Sequence, residues 1–360
     1  MKKTIISILA LAALILFSGC PFKNSFNYTE GVFPESPVNF ADVNTPYDDY
    51  NSALPELHVG RNLIFSSNRK TQGGNYDIVG KDMHITWLME TGELLIDDTY
   101  GWVDKDYVAP LLGRLNTYGN EFGPYALGYY QHSKASISKR INLITYSSND
   151  SSDSYRSRMI YHETINEGDS TNIFGPYDLK IINNNLNAQY VSFFGEDAKT
   201  ISIGYFEPHE LTQMYFQAEG DGQTDIFKID IPENNDFIGF LIGDTSYPAQ
   251  KVEELSTASE DKCPFINGHV MVFTSNRPGG FGGYDLYYSI WENGLWGSAI
   301  NFGEKINSAY DEFRPITVFA SGFKTDLMIF SSNRPEGQGG FDLYYVGLPF
   351  KIFDYGYVTE

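Results

Sequence analysis

Acidic residues carry the first candidate chemistry in this chain. Asp48 and Asp49, Glu121, Glu260 and Asp261, and Asp311 and Glu312 each stand just ahead of a strand-like run. Several carboxylates brought to one place could hold a Ca²⁺ ion, attract a basic ligand, or flank a glycosidic bond as acid and base. The competing reading is that each carboxylate accepts backbone amides of its own linker. The corresponding stretch near residue 188 has Ala188 and Gln189 instead, and no two of the acids single themselves out as a pair. Aromatic residues carry the second candidate. Trp87 and Trp102, with Tyr100, Tyr107 and Tyr118, lie in a long segment where no repeat demands them, and flat rings of this kind stack on the C–H faces of sugars. The candidate binding residues are therefore Trp87, Trp102, Asp49, Glu121, Asp261, Asp311 and Glu312.

Other chemistries find no residues. The chain has no His-Glu-x-x-His, no Gly-x-Ser-x-Gly and no P-loop, and its six histidines are scattered. Two cysteines, Cys20 and Cys263, make no metal-ligand or redox spacing. No catalytic residue, resident metal or cofactor is assigned, Ca²⁺ at the acidic ring being the one ion considered. With 46 Asp and Glu against 25 Lys and Arg, the net charge is -21. No basic cluster follows the first three residues, which excludes a nucleic-acid partner.

The elements that must position these groups are strands. Aromatics make up 16% of the chain and there are 34 glycines, a composition of β-formers and turn-formers. Residues 63–69, 271–277 and 328–334 repeat one pattern, an apolar run closing in Ser-Asn-Arg. A Gly-rich turn and a second strand follow each, and looser copies start at 144 and 214. A second repeat, anchored at 44, 116, 184, 256 and 307, interleaves with these hairpins. Five four-stranded units fit, six being the alternative. The chain opens on an outer strand, residues 37–40, with no hairpin ahead of it and ends on a hairpin with a short tail. The two half-units predict a ring closed by the N-terminal strand, which leaves no sheet edge at the seam. The expected fold is an all-β, five-bladed β-propeller over residues 37–360. Asn68, Arg69, Asp77, Asn276, Arg277, Asp285, Asn333, Arg334 and Asp342 recur in the hairpins and are read as fold residues. Arg277 and Arg334 are expected to bridge neighbouring blades, and Trp291 and Trp296 to pack between them.

Residues 273–288, with Trp291, Gly294 to Trp296 and Ile300 to Gly303, resemble the TolB-like, WD-repeat-like β-propeller repeat of bacterial envelope proteins. The resemblance is strongest in the last two units. It implies an envelope address and a partner-binding role, without the OmpA-like peptidoglycan-binding domain that longer members carry.

Residues 1–19 read as a signal peptide, with Lys2 and Lys3 before an apolar run ending in Leu16-Phe17-Ser18-Gly19-Cys20. That ending looks like a lipobox, so Cys20 is the expected lipidation site and residues 20–36 a tether. The absence of Asp after Cys20 favours the outer membrane, and the absence of an acidic run there favours its periplasmic face, with the lipid anchor as the membrane contact. The functional expectation is a non-enzymatic scaffold for another envelope protein. The alternative is a glycan-binding or glycoside-hydrolysing propeller.

Overall fold

The computed structural model describes residues 27–352 apart from 55–60, 98–107, 133–137, 150–154, 166–171, 183–186, 196–207, 221 and 234–235. Five antiparallel sheets form a five-bladed β-propeller. Blade one holds β2 (Asp49–Ala53), β3 (Arg61–Ser67), β4 (Asp77–Leu88) and β5 (Glu93–Asp97). Blade two holds β6 (Glu121–His132), β7 (Ser138–Ser148), β8 (Arg156–Ile165) and β9 (Asn172–Asp178). Blade three holds β10 (Gln189–Phe194), β11 (Gln213–Gly220), β12 (Gln223–Asp230) and β13 (Gln250–Lys251). Blade four comprises β14 (Asp261–Asn267), β15 (Val270–Ser275) and β16 (Asp285–Glu292), with β17 (Leu295–Trp296) and β18 (Ile300–Asn301) both paired to β16.

Blade five is built from both ends of the chain. Its inner strands are β19 (Glu312–Val318), β20 (Leu327–Ser332) and β21 (Asp342–Gly347), and its outer strand is β1 (Val38–Asn39). Val38 pairs with Tyr345 and Asn39 with Tyr344. Asn44 fastens the seam, donating from Nδ2 to the Leu343 carbonyl at 2.9 Å and accepting from the Leu343 N–H at 2.9 Å. The stretch before β1 also packs on the ring, where Phe33 is buried and stacks on Phe323 with centroids 4.2 Å apart.

The apolar runs in the hairpins reflect burial on both faces, since the second strand of each blade lies between two neighbours. In β15, Met271 and Phe273 face the core shared with blade three, whereas Val270 and Val272 face the core shared with blade five. In β20, Met328 and Phe330 join the core with blade four, and Leu327 and Ile329 the core with blade one. A further cluster joins blades one and two, and another joins two and three. Trp291 and Trp296 sit in the cluster between blades three and four, where Trp296 Nε1 donates to the Tyr215 hydroxyl at 3.0 Å.

Every inner strand carries a bulge near its start: between Tyr50 and Ala53, Phe122 and Tyr125, Gln189 and Ser192, Lys262 and Phe265, and Phe313 and Ile316. The bulged residue is left-handed in each blade, with φ of 58° at Asn51, 55° at Gly123, 55° at Tyr190, 54° at Cys263 and 49° at Arg314. An extra residue in one strand frees an amide from the ladder and re-aims it. In four blades that amide donates to a polar side chain of the preceding blade: Asn51 to Ser331 Oγ, Gly123 to Ser66 Oγ, Cys263 to Gln217 Oε1 and Arg314 to Thr274 Oγ1, at 3.0 to 3.3 Å. The bulges thus join the blades around the axis.

Candidate functional site

The acids that head the inner strands are consumed by this architecture. Asp49, Glu121, Asp261 and Glu312 are all fully buried. Asp49 Oδ2 accepts from the Thr45 N–H and hydroxyl at 2.7 and 2.8 Å, and Asp261 Oδ2 from those of Thr257 at 3.0 and 3.1 Å. Glu312 does the same with Ser308, at 2.9 and 2.6 Å. Each of these three also receives the guanidinium of its own blade, Arg69 at 2.6 Å, Arg277 at 2.5 Å and Arg334 at 2.8 Å. The same guanidinium groups donate to the carbonyls of Val43, Leu255 and Ile306. The arginines therefore tie an inner strand to the linker that enters it; the expected bridge from one blade's body to the next is not what they make.

The remaining repeated residues hold turns. Asn68, Asn276 and Asn333 accept the amides of Asp48, Glu260 and Asp311, each at 2.9 Å. Asp285 accepts from Phe281 and Gly282, and Asp342 from Gln338 and Gly339. Asp77 lies 3.3 Å from Lys70. Among the described residues no group of three or more His, Cys, Asp or Glu side chains could hold a metal ion.

Glu121 is the exception among the heading acids. The sequence places Asp150 where the hairpins of the other three heading acids have arginine. Glu121 Oε1 accepts from Thr117 and Ser148, but Oε2 is buried without a partner. Burial, only partly offset by those hydrogen bonds, raises its pKa above the ordinary glutamate value. The native state then holds the proton more tightly than the unfolded chain. Its cost is absent below the ordinary glutamate pKa and appears as pH rises through the raised folded value. Glu121→Gln is expected to raise the melting temperature by a few degrees at pH 7 and by nothing at pH 3. An equal shift at both pH values would contradict this reading.

Strand alternation turns the next residue the other way. Because Asp49, Glu121, Asp261 and Glu312 point into the linkers, Tyr50, Phe122, Lys262 and Phe313 point to the axis, and Gln189 takes that place in blade three. They line a pocket with Tyr155, Tyr284 and Phe341 from the hairpin turns, Tyr190 and Gln217 deeper in, and Asp311 on the wall. Its volume is about 400 Å³, in the range of small-ligand sites. The aromatics form a belt: Tyr50 lies 5.7 Å from both Phe122 and Phe341, Phe122 lies 5.5 Å from Tyr155, and Tyr284 lies 5.7 Å from Phe313.

The polar groups occupy the blade three and four side. Gln217 donates to Gln189 Oε1 at 3.4 Å. Lys262 Nζ lies 2.8 Å from Glu260 Oε2 and 3.1 Å from the Tyr284 hydroxyl, which itself donates to Glu260. Burial alone would raise Glu260 and depress Lys262. The hydrogen bonds linking these groups outweigh it, so Glu260 titrates below the ordinary glutamate value and Lys262 above the ordinary lysine value. Asp311 accepts from the Tyr284 N–H at 3.0 Å and from Asn333 Nδ2 at 3.1 Å.

Of the sequence-expected binding residues that are described, only Asp311 lines this pocket. Trp87 lies on the β4–β5 hairpin, where its Nε1 donates to the Tyr28 carbonyl at 2.9 Å and its ring meets Phe323. Trp102 and Cys20 lie outside the described residues. Tyr50, Phe122, Lys262 and Phe313 were the residues missed. The signal was a bulky side chain directly after the acid, as in Tyr50, Phe122 and Phe313.

No protein-family model and no curated protein matches the chain. Solved structures of similar fold include a thermostable family-43 glycoside hydrolase, with 12% identity over 86% of this chain and 91% of that one and a TM-score of 0.46. An exo-1,5-α-L-arabinanase from a bovine ruminal metagenomic library shares 8% identity over 84% and 94%, with a TM-score of 0.44. An α-L-arabinofuranosidase from Lactobacillus brevis shares 7% over 85% and 92%, also at 0.44. These findings correct two expectations. The TolB-like resemblance is not sustained, because no family model supports it and the neighbours named here are glycoside hydrolases. The expectation of a non-enzymatic scaffold is corrected with it: the solved structures named here are glycoside hydrolases, a likeness of fold alone.

Proposed function

We propose that this chain is a carbohydrate-active propeller that binds a sugar in its axial pocket and hydrolyses the glycosidic bond. The observation that carries this reading is the two-sided lining. Tyr50, Phe122, Phe313 and Phe341, from blades one, two and five, offer ring faces and edges, whereas Gln189, Gln217 and Lys262, from blades three and four, offer hydrogen bonds. A sugar has the same division, with apolar C–H faces and a polar rim of hydroxyls. The buried heading acids cannot reach it. Among the described residues Asp311 is the carboxylate on the wall, and Glu260 stands one hydrogen bond behind Lys262 and Tyr284. Glycoside hydrolysis uses two such groups, one giving a proton to the leaving oxygen and one ionised. Glu260, held ionised by its neighbours, suits the second part through Tyr284, which lines the pocket and whose hydroxyl donates to it.

Binding of neutral oligosaccharides and release of nitrophenol from a panel of nitrophenyl glycosides test the proposal on the purified protein. Phe313→Ala is expected to weaken binding about thirtyfold, the equivalent of about 2 kcal/mol for the lost ring contact. Leu295→Ala, an exposed change on β17, is the control and leaves binding unchanged. Failure to bind or cleave any member of the panel would reject the proposal.

A further inference from the structure

The axis beneath the pocket is filled from all five blades, by the side chains of Arg314, Tyr190 and Asn51 and the backbone carbonyls of Pro264 and Pro124. Arg314 of β19 is fully buried, and its guanidinium donates to the carbonyls of Pro264 in β14 and Pro124 in β6, both at 3.3 Å. The same group lies 5.3 Å from the centre of the Tyr190 ring in β10. Tyr190 in turn receives a hydrogen bond from Asn51 Nδ2 of β2 at 3.0 Å. One side chain of blade five therefore touches the inner strands of blades two, three and four, and reaches blade one through Tyr190. Only a side chain on the propeller axis can do this. Gly123 admits the Tyr190 ring: φ there is 55°, and a Cβ would lie 2.3 Å from a ring carbon.

This plug makes the pocket blind at its inner end. A polymer cannot thread the ring, and Tyr155, Tyr284 and Phe341 stand on its wall from the hairpin turns. Inside, Gln189 accepts from Gln217 through Oε1, and its amide nitrogen carries two N–H donors suited to a hydroxyl. The end unit of a glycan carries a hydroxyl where an internal unit carries a glycosidic oxygen and a further sugar.

We infer that the axial pocket takes the terminal unit of a glycan chain, end-on, and that Gln189 reads its free hydroxyl; the inference rests on the saccharide reading above. Linear arabinan, xylan and β-1,4-glucan, each native and after partial acid hydrolysis to roughly tenfold shorter chains, are compared at equal sugar mass by calorimetry. In whichever polymer binds, shortening multiplies chain ends about tenfold, so the half-saturating mass is expected to fall about tenfold. Gln189→Ala is expected to raise that mass about tenfold for the shortened polymer, compared at equal folded fraction because the variant loses the hydrogen bond from Gln217. A half-saturating mass that does not fall on shortening would overturn the terminal-unit inference while leaving the saccharide site standing. Wild-type affinity in Gln189→Ala would remove the role given to that residue. No binding to any polymer in either form would overturn both the inference and the proposed function.

Discussion

Asp311→Asn is expected to lower kcat for glycoside hydrolysis at least about a hundredfold, the usual scale for losing a positioned acid or base. KM should change by no more than a few-fold, because the aromatic belt and the glutamine wall are untouched. The amide can still accept from the Tyr284 N–H, but its NH₂ would face Asn333 Nδ2, which now donates to Asp311 at 3.1 Å. Stability should fall by about 1 kcal/mol, the net value of an ordinary hydrogen bond. Rates are therefore compared at equal folded fraction. Unchanged kcat would remove Asp311 from the chemistry.

Arg277→Met should cost about 3 to 5 kcal/mol of stability, the range for removing one partner of a buried ion pair. Asp261 is fully buried and keeps only its two contacts from Thr257, at 3.0 and 3.1 Å, against a pair that closes to 2.5 Å. The guanidinium also lies over Phe273 and Tyr287 and bonds the Leu255 carbonyl at 2.8 Å, so methionine keeps some packing and none of the polar links. Urea denaturation of wild type and variant measures this directly. A loss below about 1 kcal/mol would mean that Thr257 alone satisfies the buried carboxylate.

The hairpins were legible in the sequence because the second strand of each blade is apolar on both faces. Residues such as 271–273 and 328–330 stand out as continuous runs. The closing strand was legible from order alone, since an unpaired outer strand at the start and an unpaired hairpin at the end complete each other. The pocket was not legible, because its position depends on the bulges. Asp49, Glu121, Asp261 and Glu312 follow the competing reading, in which each carboxylate is held by its own linker. The residues that turn into the linker hand the axis to their successors, Tyr50, Phe122, Lys262 and Phe313. Blade three hid the pattern further, with Ala188 in the acid's place and Gln189 at the axis. The axial role of Arg314 had no local signal, as its partners Pro124 and Tyr190 lie far away in the chain.

The most direct test of the saccharide pocket is a crystal structure of the protein soaked with the oligosaccharide that binds best in calorimetry. The expected result is one sugar ring on the propeller axis, its C–H face against Phe122 or Phe313 and its hydroxyls within hydrogen-bond distance of Gln189 and Lys262. A sugar bound elsewhere on the propeller with the axial pocket empty would contradict the account.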